Sequence, residues 1–77
     1  MVLTELKRGT QAKIVDLSNV NPIIQRRLLD MGIDEGTTIC LKGVLPFRGP
    51  CMIEASGQCI SLRRSEASCI IICMEEE

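Results

Sequence analysis

The sequence contains no histidine and a single aromatic residue, Phe47. The commonest general acid–base group is therefore absent. No GxxxxGK[ST] run is present to cradle a nucleotide phosphate. Five cysteines occur, none of them in a C-x-x-C pair. Zinc sites usually combine such close pairs with histidine. Cys69 and Cys73 are four apart, but on one face of a strand their side chains would stand about 13 Å apart, too far to share an ion. No base accompanies the thiols, and no catalytic set can be assembled. The chain reads as an interaction module, not an enzyme.

Other absences narrow the class further. There is no apolar run of about 18 residues to span a bilayer, and no basic-then-apolar leader. A cytoplasmic protein with reduced thiols and no membrane insertion is expected. The odd cysteine count also argues against a closed disulfide framework. The formal charge is −1, and the acidic tail Glu75–Glu77 accounts for three of the ten acids. Neither the whole chain nor the body without its tail exerts a strong pull on polyanions. With one aromatic for stacking, an RNA-binding barrel is disfavoured.

What is present is an aliphatic chain of 77 residues, 45% hydrophobic. That is ordinary globular composition. One domain, residues 1–74, is expected ahead of the tail at 75–77. A chain this short buries only about 60% of its unfolded surface, so its stability margin is thin.

The local signals place a turn at Leu3–Leu6, closed by Gly9, and a first strand over Gln11–Leu17 carrying Ala12, Ile14 and Val15. Asn21 is a suitable helix N-cap, and Pro22 fits the first helical position. Ile24, Leu28 and Met31 recur at i, i+4 and i+7 and form one helical stripe. Gly32 occupies the place of a left-handed C-terminal glycine. A strand over Thr37–Val44 follows, then a loop over Leu45–Pro50 with two prolines and a glycine. Cys51–Ala55 and Gln58–Arg63 predict a hairpin across Ser56-Gly57. Ser65–Ala67 is a corner. Ser68–Met74 is apolar on both faces and predicts an interior strand. Connections after Gly36 are too short for parallel crossovers. The expected fold is mainly β: about five antiparallel strands closing into a small barrel, with one short helix after the first strand.

Three segments then identify a family. RLLDMGI (Arg27–Ile33), the loop with Pro46, Gly49 and Pro50, and LRRSEA (Leu62–Ala67) occur in this order, with Leu6, Gly9, Ala12, Val15, Gly36, Gly57, Ile70 and Ile72 around them. The chain resembles the FeoA family of bacterial ferrous-iron uptake, and the SH3-like domain at the C-terminus of some iron- and manganese-dependent repressors. The resemblance implies an SH3-like barrel. It also implies association with a FeoB-like membrane permease that carries a cytosolic G-protein domain. No DNA-binding domain is expected ahead of the barrel.

The partner surface expected from these motifs is the helix end, Arg26, Arg27, Asp30 and Met31, with the loop residues Pro46, Phe47, Arg48 and Pro50. Each has a purely structural counterpart. Asp30 opposes the helix dipole and needs a partner, most simply an arginine. An arginine pairing with Asp30 or Glu66 would fasten helix to barrel. Arg26 and Arg27, with Arg63 and Arg64, would otherwise form a basic face. Phe47 either folds back to plug the barrel, the preferred reading, or stands out as an anchor on a loop stiffened by proline.

Most of the cysteines are expected to be small buried hydrophobes. Across the hairpin, Glu54 should face Cys59 and Cys51 should face Leu62. Glu54 with Cys59 is the best nucleus for a soft-metal site. A thiol protein that binds a divalent transition metal, iron or zinc, is the first alternative function. A small RNA-binding barrel is the second. Self-association into a homo-oligomer is left open.

Overall fold

The computed structural model describes residues 1–44, 47 and 49–74. A 3-10 turn, Leu3–Glu5, leads into strand β1 (Gln11–Asp16) and helix α1 (Pro22–Asp30). Strands β2 (Thr38–Val44), β3 (Cys51–Ala55) and β4 (Gln58–Leu62) follow. A helical turn, α2 (Arg64–Ala67), precedes β5 (Ile71–Met74). All pairings are antiparallel, in the order β4-β3-β2-β1-β5.

Helix α1 forms where its capping residues direct. Asn21 Oδ1 accepts from the Ile23 amide at 2.8 Å, and Pro22 takes the position whose N–H has no helical partner. The C-terminus closes as a Schellman motif. The Gly32 amide donates to the Leu29 carbonyl at 2.9 Å and the Ile33 amide to the Leu28 carbonyl at 2.8 Å. Gly32 has φ +80°, which glycine adopts without strain. Leu28 and Ile33, the apolar pair that accompanies such a cap, are both buried. Ile24 and Met31 pack against the core from the same stripe.

The core is aliphatic, as composition requires. The side chains of Leu3, Ile14, Leu28, Ile39, Ile53 and Ile70 are almost wholly withdrawn from solvent. Burial of each such group is worth about 1.5–3 kcal/mol relative to exposure. In β1, Ala12 and Ile14 point inward, while Val15 is exposed. A bulge between Ile14 and Asp16 resets the alternation, so Leu17 is buried rather than Asp16. The β3–β4 register pairs Glu54 with Cys59 and Cys51 with Leu62, as expected. Ser56 and Gly57, at φ 52° and 77°, make the two-residue turn.

The last strand differs from expectation. It is four residues long and stands at the end of the sheet order, not inside it. Ser68, Cys69 and Ile70 belong instead to the turn after α2, where their amides donate to Arg64, Glu66 and Ala67 carbonyls. Ile70 and Ile72 fill the core, and the N-terminal segment lies along the outer edge of β5: the Ile72 amide donates to the Met1 carbonyl at 2.8 Å, and Val2 bridges Ile71. Cys73 and Met74 beyond it are exposed.

Candidate functional site

The two ends of α1 and the strand ends around them set up the surface of interest. Arg26 and Asp30 pair at 3.5 Å, one helical turn apart, with side chains 80% and 69% exposed. Asp30 thus has the expected arginine, but the pair lies within the helix and fastens nothing to the sheet. Exposed pairs of this kind contribute at most about 1 kcal/mol. The fastening role falls to a residue not singled out by sequence: Gln58 Nε2, at the start of β4, donates to the Met31 carbonyl at 2.8 Å.

Arg27 lies at the border of the buried stripe and leans the other way, into a cleft of about 590 Å³. Ile24 shares that wall. The opposite wall is built by the end of β4 and the start of α2, which contribute Ser61, Arg63, Arg64 and Glu66. Gly49 and Pro50 close one side. The basic face is therefore real in part: Arg27 joins Arg63 and Arg64, whereas Arg26 points away with Asp30. Ser61 was missed in the sequence, although strand alternation places it on the same face as Arg63. Pro50 lines this cleft, and Met31 is half-buried against the core.

Backbone groups already satisfy the fold at this corner. The Arg63 amide donates to Glu66 Oε1 at 3.0 Å, and the Arg63 carbonyl accepts from the Glu66 and Ala67 amides. The Arg63 guanidinium takes no part in these contacts.

Phe47 is 99% exposed, so the plug reading is wrong. Among the described residues, eighteen buried ones, all aliphatic or cysteine, fill the core without an aromatic. Phe47 also has φ 59°, a region that costs a bulky residue free energy. Pro46 and Arg48 lie outside the described residues, as does the tail at 75–77.

The thiols also depart from expectation. Of the five, only Cys51 is fully buried; Cys40 and Cys69 are intermediate, and Cys59 and Cys73 are exposed. Cys69 lies in the turn before β5, not on a strand face with Cys73. Cys40, Glu54 and Cys59 occupy one cross-strand row over β2, β3 and β4. Even so, among the described residues no three cysteines or carboxylates converge closely enough to hold a metal ion. Glu54 instead pairs with Lys42 at 3.8 Å. The described residues do not assemble a site for a resident metal.

No helix among the described residues is long and apolar enough to cross a membrane. The FeoA domain profile matches residues 1–73. A fusion protein of Porphyromonas gingivalis, Fe(2+) transport protein A joined to Fe(2+) transporter FeoB, is 36% identical over 68 residues. That match covers 88% of this chain but 8% of the fusion protein. The solution structure of the FeoA protein from Chlorobium tepidum superposes with TM-score 0.90 at 30% identity, over 96% of this chain and 70% of that one. The zinc complex of Stenotrophomonas maltophilia FeoA, described as a prokaryotic SH3 domain protein, superposes with TM-score 0.78 at 26% identity, over 95% of this chain and 89% of that one. The five-stranded sheet with its early helix is thus the expected SH3-like barrel.

Proposed function

The chain belongs to the FeoA family, and from that premise we propose that it is a non-enzymatic accessory of ferrous-iron uptake in the cytoplasm. It docks on the cytosolic region of a FeoB-like permease and supports transport. The observation that carries this reading is the fusion relative, in which a domain similar to this chain and an iron transporter share one polypeptide. Fusion holds two partners at high effective concentration, an advantage only if they act together.

The docking face in this reading runs from the end of α1 (Arg26, Arg27, Asp30 and Met31) to the loop with Pro46, Phe47, Arg48 and Pro50. Its support is the near-complete exposure of Phe47 in a chain with no other aromatic. Exposed aromatics on stiff loops are frequent interface anchors, because they bury large area with few rotors to freeze.

The test is capture of the purified permease domain by the wild-type chain and by Phe47→Ala and Arg26→Glu. Both variants should fold as wild type, since neither side chain is buried, and both should bind at least fivefold more weakly. Undiminished capture by both would remove this face from the account.

A further inference from the structure

Three arginines line the cleft between α1 and the β4–α2 corner, and among the described residues no ion pair engages them. Two ion pairs occur among the described residues, Arg26 with Asp30 and Lys42 with Glu54. Neither uses Arg27, Arg63 or Arg64. Among the described residues the lining holds one carboxylate, Glu66, and one of its oxygens is already engaged by the Arg63 amide. Gathering like charges around one cleft is unfavourable. Among the described residues no ion pair gives a reason for the arrangement. A ligand of opposite charge does.

We propose that this cleft is a carboxylate-binding site that receives an acidic side chain of the docked partner, with Arg63 and Arg64 as the principal donors, Arg27 facing them and the Ser61 hydroxyl as a neutral donor. The inference rests on the docking reading and gives it a chemistry. Arginine's planar fork matches a carboxylate with two parallel hydrogen bonds. A volume of about 590 Å³ admits a short peptide segment. Ile24 and Pro50 in the walls suit the aliphatic stem of such a residue. A polynucleotide fits poorly: the lining offers no aromatic for stacking, and the chain's formal charge is −1.

The experiment has two arms. In the first, the isotopically labelled chain is titrated with a blocked tetraglutamate peptide, and in parallel with inorganic phosphate and oligouridylate. The peptide should shift the amides of Arg27, Ser61, Arg63 and Arg64 saturably, and binding should weaken as salt is raised. Arg63→Gln and Arg64→Gln should each weaken it about fivefold to tenfold, while Arg64→Lys, which keeps the charge but loses the fork, should fall between. In the second arm, the same variants are titrated with the permease's cytosolic domain, where the two glutamine variants should lose affinity by a similar factor.

If the domain binds wild type and the glutamine variants equally, the cleft inference fails and the docking reading stands. If the peptide binds as described but the domain does not bind at all, the docking reading fails and the cleft keeps its chemistry. Tighter binding of phosphate or oligouridylate than of peptide, or peptide shifts on another face, overturns the assignment.

Discussion

The side-chain amide of Gln58 donates to the carbonyl of Met31 at 2.8 Å, joining the start of β4 to the C-terminal cap of α1 across 27 positions of sequence. This bond ties down the C-terminal end of the helix that carries Arg27 into the cleft wall. Gln58→Ala should cost about 0.5–1 kcal/mol, because water replaces the donor at an exposed site. Chemical denaturation measures it. Chemical shifts should also move at Arg27 and Met31, on the far side of the lost bond. A variant with native stability and unmoved shifts would show that packing alone orients the helix.

Gly32 carries the cap from the other direction. A Cβ placed there meets nothing within 4 Å, yet φ is +80°. Gly32→Ala therefore tests conformation without crowding, with an expected loss of about 1–2 kcal/mol. In a domain of this size that lowers the thermal midpoint by roughly 4–8 °C per kcal/mol. Calorimetry decides.

The hairpin turn offers a gain. Ser56 holds φ 52° ahead of Gly57 at 77°. Asparagine tolerates that region better than serine and heads the preferred two-residue turn. Ser56→Asn should stabilise the chain by about 0.5 kcal/mol in a denaturant titration. A loss would mean that the serine has a role in the folded state that its backbone angle does not convey.

Acid stability should depend on Asp16. The Ser18 amide donates to Asp16 Oδ1 at 2.8 Å, and this bond, with further help from the Ser18 side chain, lowers the Asp16 pKa. Desolvation opposes the shift, and Glu35 adds to it. A carboxyl whose folded value is depressed stabilises the fold above its unfolded value, and that stabilisation is lost as pH falls through the folded value. Asp16→Asn should be less stable than wild type at neutral pH, with the two stability curves converging in acid. Parallel curves down to the lowest pH would exclude this contribution.

Much of the fold was legible because its signals are local. Asn21-Pro22, the Ile24–Leu28–Met31 stripe and Gly32 delimit α1 without reference to any other segment. The Ser56-Gly57 turn sets the β3–β4 register, and with it the pairing of Glu54 with Cys59. What failed was non-local. The apolar run at 68–74 does not reveal that the N-terminus lies along the outer edge of β5, since Met1 and Ile72 are 71 positions apart. Phe47 reads as a core residue by type, and its exposure follows from a core already filled by aliphatic side chains. The motif LRRSEA marked Arg63 and Arg64, but that they meet Arg27 depends on how α1 folds back over the corner. No spacing in the sequence contains that information.

The central claim, a docking module whose thiols are not its chemistry, is tested most directly by calorimetric titration of the purified chain against the cytosolic domain of the FeoB-like permease, with and without ferrous iron. The account predicts saturable binding with the same affinity in both conditions. Binding that appears only with iron would contradict it and make the chain a metal-dependent sensor, with Cys40, Glu54 and Cys59 the first residues to replace.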